Sequence, residues 1–333
     1  MTVNRQALLK SRPHGLVTND NFEFVDAPLV EPGDGEFRVK VEAISIDPAM
    51  RGWMAEGKSY IPPVAIGDVM RAGAAGHVEV SNNPKFKVGD AVSGMFGVQQ
   101  YVISNGAMVS KLDESQASLE RWIAGLGMPG LTAYFGLLNV GEPKEGDTVL
   151  VSAASGAVGS VVGQIAKLKG CRAVGIAGGP EKCKYVVEEL GFDACVDYKA
   201  GNLYRDLREA CPKGVDVLFE NVGGEIFDTE LALMNTFGRV VLCGLISAYN
   251  ATEMPDGLNN IRSVLVNRLK MQGIIVFDFI KEYPQAISDL GKWHAEGKLK
   301  LREDIRDGGI DAFPDVLNLL FNGGNNGKLV LKV

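Results

Sequence analysis

At 333 residues, 46% of them hydrophobic and 23% charged, the chain has the length and composition of a globular protein with room for two domains. Its net charge of −7 comes without a Lys/Arg-rich block, which argues against nucleic acid as the main partner. No apolar run approaches transmembrane length and the opening Met1-Thr-Val-Asn-Arg-Gln lacks a signal-peptide core, so no membrane contact and a cytoplasmic location are expected.

Residues 1–125 read as short strands broken by glycine and proline, a compact β-rich domain. Phe37-Arg-Val-Lys-Val-Glu-Ala-Ile-Ser-Ile opens with period-two alternation, and Lys87-Val-Gly-Asp-Ala-Val-Ser-Gly is a turn feeding a strand. From Thr148 the rhythm changes. Apolar strands recur near Val149–Val151, Ala173–Ile176, Ala194–Val196, Val215–Phe219 and Val240–Cys243, with helix-length segments such as Pro180 to Leu190 between most of them. That alternation predicts parallel strands joined by crossover helices, an α/β doubly wound sheet over residues 126–299. Its ligand should lie beyond the carboxyl ends of the strands. After about Lys298 loops and short apolar runs return. Gly327-Lys-Leu-Val-Leu-Lys-Val reads as a strand, so residues 300–333 are expected to rejoin the first domain.

The five cysteines (Cys171, Cys183, Cys195, Cys211, Cys243) all lie in the second half, and none pairs at C-x-x-C spacing. Neither a disulfide framework nor a zinc cage follows. Of the three histidines, His77 in Ala74-Ala-Gly-His-Val lacks the neighbours for a tetrahedral site and reads as a surface or hydrogen-bonded structural residue. A protein that works without metal is expected.

The most informative stretch is Thr148-Val-Leu-Val-Ser-Ala-Ala-Ser-Gly-Ala-Val-Gly159, where a strand enters a small-residue turn and a helix leaves it. Ala153-x-x-Gly156-x-x-Gly159 is the dinucleotide fingerprint with alanine at its first position. Gly156 would let backbone approach a diphosphate, and Gly159 would let the helix pack on the strand. Val158, Val161, Val162 and Ile165 give that helix one apolar face, and Gly170 closes it. The next strand, Arg172-Ala-Val-Gly-Ile, ends in Ala177-Gly-Gly-Pro-Glu-Lys182 with no acid at its tip. An NAD-specific site places an acid there for the ribose 2′-OH, whereas Lys182 can meet a 2′-phosphate, so NADP is favoured over NAD. Glu181 counts against this, and Lys182 also reads as a solvated helix residue. No Gly-x-Ser-x-Gly elbow or carboxylate pair stands out. The remaining acid/base candidate is Tyr249, in Cys243-Gly-Leu-Ile-Ser-Ala-Tyr-Asn250, whose alternative reading is an aromatic that only packs.

Five strings extend these signals: Ser45-Ile-Asp-Pro-Ala-Met-Arg51, Gly127-Met-Pro-Gly-Leu-Thr-Ala-Tyr134, the run from Ala153 to Cys171, Glu220-Asn-Val-Gly-Gly224 and Cys243 to Asn250. On them the chain resembles, over nearly its whole length, the zinc-independent medium-chain dehydrogenase/reductases. More narrowly it is similar to the leukotriene B4 12-hydroxydehydrogenase/prostaglandin reductase group, which includes bacterial curcumin reductases and plant alkenal double-bond reductases. The resemblance implies a GroES-like β-barrel domain, a Rossmann domain and a homodimer. It implies NADP(H) held on the loop Gly156, Ala157, Val158 and Gly159, with Lys182 and Tyr198 around the adenosine 2′-phosphate. Asn221, Cys243, Gly244, Leu245, Ile246, Ser247, Ile275, Val276, Phe277 and Asn325 would line the rest, with Met128 and Thr132 near the nicotinamide. On their residues alone, Asn221 and Asn325 read equally as turn formers. Two positions depart from relatives: Ala49, where tyrosine is common, and Val266, where some mammalian members carry tyrosine.

The implied activity is NADPH-dependent reduction of the C=C bond of small α,β-unsaturated ketones and aldehydes. Tyr249 O–H, alone or with a ribose hydroxyl, would donate to the enolate oxygen. The alternatives are an NADPH quinone oxidoreductase of the same superfamily and a non-catalytic NADPH-binding protein.

Overall fold

The computed structural model describes residues 3–333 and divides into two units, one running to Ala124 and resuming at Glu303–Val333, the other Gly125–Arg302. In chain order, β1 (Val3–Leu9) and β2 (Phe22–Pro28) form an antiparallel pair. β3 (Phe37–Ser45) then anchors a second sheet with β4 (Ala74–Ser81), β5 (Ala91–Gly94), β6 (Tyr101–Ser104) and β7 (Ser110–Lys111). The alternation at its start buries Phe37, Val39 and Val41. Arg38 is buried between them because Glu31 (2.9 Å) and Glu79 (2.8 Å) take its guanidinium. The turn before β5 is stapled by Asp90, which accepts from the Lys87 N–H at 2.8 Å. Two short helices complete this stretch, α1 (Ala49–Trp53) and α2 (Leu119–Trp122).

The second unit opens with α3 (Met128–Phe135), which continues through a wider coil over Gly136–Gly141. Strands and helices then alternate: β8 (Thr148–Val151), α4 (Gly159–Leu168), β9 (Arg172–Ala177), α5 (Pro180–Lys184), β10 (Ala194–Asp197), α6 (Leu203–Ala210), β11 (Val215–Glu220), α7 (Gly224–Leu231) and β12 (Met234–Leu242). α8 (Arg262–Val266), β13 (Lys270–Gly273) and α9 (Tyr283–Ala295) follow. All six strands are parallel in the order β10-β9-β8-β11-β12-β13, so the sheet reverses its winding between β8 and β11. That switch point is where such sheets bind ligands. The Pro180–Leu190 helix is present, its second half widened into a π-type coil over Tyr185–Glu189. β13 has no counterpart in the sequence analysis. It is a four-residue edge strand with most of its residues exposed, so no hydrophobic period marks it.

The last stretch is less loop-like than the sequence suggested. α10 (Phe313–Phe321) lies between β14 (Glu303–Arg306) and β15 (Lys328–Lys332). Phe313, Val316 and Leu317 bury one face of it at helical spacing, and Pro314 sits in its first turn. β15 enters the sheet of the first unit between β14, parallel, and β3, antiparallel. Its Lys328 is buried, with Nζ donating to the Ile46 carbonyl and to Asp47 Oδ1 (2.8 Å), while Ser45 Oγ donates to Asp47 Oδ2. Burial lowers the Lys328 pKa, and Asp47 opposes that.

Candidate dinucleotide site

The turn after β8 is built as its small residues require. Ala153 stands at φ +51, a left-handed conformation that costs an alanine about 1–2 kcal/mol and that glycine adopts freely. Its carbonyl accepts from Gly156 N at 2.9 Å, and Ala154 N is held by the Ile176 carbonyl of β9 at 2.9 Å. A Cβ on Gly159 would lie 2.4 Å from that same Ala153 carbonyl oxygen, so only glycine lets α4 start this close to the strand. Val161, Val162 and Ile165 are buried as their spacing predicts, and Gly170 ends the helix at φ +76. No side chain caps α4, and among the described residues no carbonyl accepts from the N–H groups of Ala157, Val158 and Gly159. A helix N-terminus left in this state fits a diphosphate.

At the tip of β9, Gly178 lies under Tyr198, where a Cβ would come 2.9 Å from the ring and 3.1 Å from its hydroxyl. Lys182 is half-buried in α5, while Glu181 beside it is exposed. Sequence reasoning missed two neighbours here. Lys199 places its Nζ 5.7 Å from the Tyr198 ring centroid, adding a second cation to this corner. Asp197, at the end of β10, accepts from Gly179 N (2.8 Å) and Lys199 N (3.0 Å) and so holds the backbone of both loops. The Asp197 carboxyl is thereby engaged in turn geometry.

At the switch point, Glu220 is completely buried and gathers three loops. Its carboxyl accepts from Ser152 Oγ (2.7 Å), Val222 N (2.7 Å) and Gly223 N, and its carbonyl from Cys243 N (2.9 Å) and Gly244 N (3.2 Å). Asn221 is tied to the same place, its backbone N to Ser152 Oγ and its side-chain Nδ2 to the Ser152 carbonyl, both 2.8 Å. Ile246 N and Ser247 N bond back to the carbonyls of Asn221 and Val222. The segment from Cys243 to Ser247 is thus laid directly over the Glu220–Gly223 turn. Burial and the Glu220 carboxyl push the Cys243 thiol up to about 12, so it is a neutral thiol at ordinary pH. Tyr249 closes the segment, its hydroxyl accepting from Leu245 N at 3.3 Å.

The remaining candidates fall in two groups. Met128 and Thr132 sit one turn apart in α3, joined by the Thr132 hydroxyl donating to the Met128 carbonyl (2.8 Å). Ile275, Val276 and Phe277 follow β13. The preceding Ile274 N bonds the Leu242 carbonyl at 3.0 Å, which brings this segment beside Cys243. Asn325 belongs to the other unit, where its Nδ2 donates to the Gly327 carbonyl of its own loop at 2.8 Å. Among the described residues no group of three or more His, Cys, Asp or Glu side chains is placed to hold a metal ion.

A strand-order reversal, a glycine-tight turn and an uncapped helix N-terminus define a dinucleotide-binding protein of the doubly wound α/β class. The chain belongs to the medium-chain dehydrogenase/reductase family, in the group that contains curcumin reductases and NADP-dependent alkenal reductases. Residues 5–112 match the model of the N-terminal domain of oxidoreductase, and residues 157–292 that of the zinc-binding dehydrogenase domain. Among its relatives is the NADPH-dependent curcumin reductase of Escherichia coli, 44% identical over 99% of this chain and 97% of that protein. The 2-alkenal reductase (NADP(+)-dependent) of Nicotiana tabacum is 38% identical, with 99% and 97% covered. The crystal structure of CurA in complex with NADPH from Vibrio vulnificus superposes with a TM-score of 0.94 at 44% identity, covering 99% of both chains.

Proposed function

We propose that this protein is an NADPH-dependent reductase of the C=C bond of α,β-unsaturated ketones and aldehydes. The observation that carries this reading is the strand-turn-helix of β8 and α4, in a chain 44% identical to an NADPH-dependent curcumin reductase. Curcumin and 2-alkenals share one feature, a C=C bond conjugated to a carbonyl. When bound, the cofactor supplies the hydride.

The chain's own residues then have separable tasks. Ala157, Val158 and Gly159 present N–H groups to the diphosphate, with Gly156 admitting it. Lys182, Tyr198 and Lys199 surround the 2′-phosphate, where an ammonium acts as a point charge. Asn221, the segment Cys243 to Ser247 and the segment Ile275 to Phe277 line the nicotinamide half, with Met128 and Thr132. Tyr249 O–H donates a hydrogen bond to the oxygen on which charge develops as the conjugated bond is reduced, and the α-carbon takes its proton from that hydroxyl or from water. Accepting from Leu245 N–H polarises that hydroxyl toward donation. Conjugation spreads the developing charge over the enone, so a phenol can meet the need for polarisation.

The test is NADPH consumption against a panel of enals, enones and quinones, with the products identified. Saturated carbonyl products from enones support the assignment, and turnover of quinones alone overturns it.

The finer setting is a homodimer in the cytoplasm. β13 is the outermost strand of its sheet, and Phe237 (65% exposed), Leu265 (78%) and Val266 (51%) lie exposed on the neighbouring β12 and α8. An unpaired edge flanked by apolar side chains suits a second copy of the same surface. Light scattering checks it, a monomeric mass being the contrary result. The five cysteines, all unpaired, suit a reducing compartment.

A further inference from the structure

Beneath the switch point lies a second buried carboxyl that the reaction does not use. Glu230, in the last turn of α7, is fully buried, and among the described residues no donor reaches either of its oxygens. The polar group facing it is the carboxyl of Glu220, equally buried. Two bare carboxylates in contact in a dry interior repel each other and lack solvation, whereas one shared proton satisfies both. Its location follows from the partners. Glu220 already accepts from Ser152 Oγ, Val222 N and Gly223 N, while among the described residues Glu230 has no donor. The proton therefore belongs on Glu230.

We propose that Glu230 is a neutral acid donating its O–H to the Glu220 carboxylate, and that Glu220, fixed in this way, is the positioning residue for the turn from Asn221 to Gly224. The hydrogen bonds then run in one direction. Glu230 O–H donates to Glu220, Ser152 O–H donates to Glu220 from the other side, and Ser152 Oγ is left to accept the Asn221 N–H at 2.8 Å. The ends of β8 and β11 are thereby locked together, and the Cys243–Ser247 segment is seated on them. Desolvation and the Glu220 charge both hold the Glu230 pKa well above the usual carboxyl range. The other titratable neighbours are neutral thiols. Cys211 is pushed up to about 11 by burial, and Cys243 lies beside Glu220. The purpose given to the turn rests on the cofactor reading above, whereas the acid–carboxylate pair does not.

The test uses the full chain without substrate. A proton retained only in the folded state makes stability fall as pH rises above the ordinary glutamate value, from about pH 5 to about pH 9. Glu230→Gln keeps the shape and a donating N–H but removes the proton. It should gain thermal stability relative to the parent steadily over that range, and it should lose the infrared band of a protonated buried carboxyl present in the parent at neutral pH. A stability difference that stays flat with pH, or a parent without that band, overturns the pair. Glu220→Gln and Ser152→Ala, titrated with NADPH by fluorescence of the bound dinucleotide, should bind about tenfold or more weakly. Unchanged affinity in both, with the infrared and pH signatures intact, removes the positioning role. Lost affinity without those signatures removes the pair and leaves the cofactor reading standing.

Discussion

The Tyr249 hydroxyl lies 3.3 Å from the Leu245 backbone N–H, folded over a glycine: a Cβ on Gly244 would sit 3.2 Å from the same oxygen. In that contact the phenol oxygen is the acceptor, and the hydroxyl carries one proton of its own to donate. Tyr249→Phe keeps the ring and deletes the proton. If the phenol stabilises charge only in the transition state, kcat and kcat/KM fall together, by about tenfold or more, with NADPH affinity nearly unchanged. An unaltered rate on enones would make Tyr249 a packing residue.

Cofactor choice should reside in the corner of Lys182, Tyr198 and Lys199. Lys182→Ala is expected to cost NADPH about 1.5–3 kcal/mol, one to two decades in affinity, and NADH almost nothing. Parallel titrations with the two cofactors check this. Equal use of both by the parent enzyme contradicts it.

Glycine contacts separate binding from folding. A Cβ on Gly159 meets a backbone oxygen at 2.4 Å, and on Gly163 it meets the Phe192 ring at 1.8 Å, whereas on Gly156 the nearest atom is 3.1 Å away. Gly159→Ala should lower both Tm and NADPH affinity, and Gly163→Ala should lower Tm. Gly156→Ala should weaken NADPH with little change in Tm. Gly52→Ala, in helix α1 with nothing within 4 Å, serves as the control, expected to raise stability by about 0.5–1 kcal/mol.

His77 gives the first unit a pH dependence of its own. Its ring bonds Glu42 at Nδ1 and Glu114 at Nε2, both 2.9 Å, and these carboxylates raise its pKa. A raised folded value means that the stabilisation is complete below the unfolded pKa near 6.5 and is lost as pH rises through the folded one. His77→Gln should therefore lower Tm at about pH 6 and converge on the parent at about pH 9. A Tm deficit equal at both ends would make the contact one of packing.

With no three-residue ligand group among the described residues, dialysis against a chelator should leave activity intact. Stoichiometric zinc whose removal abolishes activity is the contrary outcome.

What the sequence made legible follows from what leaves a local pattern. The β8–α4 turn was readable because every step is local: buried strand, small residues, helical stripe and closing Gly170. β13 was not, because an exposed four-residue edge strand owes its existence to pairing with β12. Asp47 and Arg51 sit in one of the strings that carry the family resemblance, and both are engaged in structure. Asp47 is held by Lys328 from the far end of the chain, and Arg51 by the carbonyls of Pro13 and Gly15. Glu230 illustrates the same limit in the second unit. Its sequence context is an ordinary helix end, and only the fold brings it against Glu220.

The insertion of β15 between β14 and β3 has a consequence for biosynthesis. Every residue of the nucleotide-binding unit has been translated once Arg302 is made, and domains generally fold as units during synthesis. The first unit, although translated earlier, still lacks the strand that pairs with β3 and the ammonium that Asp47 awaits. The end of its central strand, Ala43–Ser45, therefore stays unpaired on that edge until residues 328–332 emerge, while β6 already covers Phe37–Lys40. Translation order and closing order are opposite in this protein, and the half made first is the one exposed longest to chaperones and to misassembly.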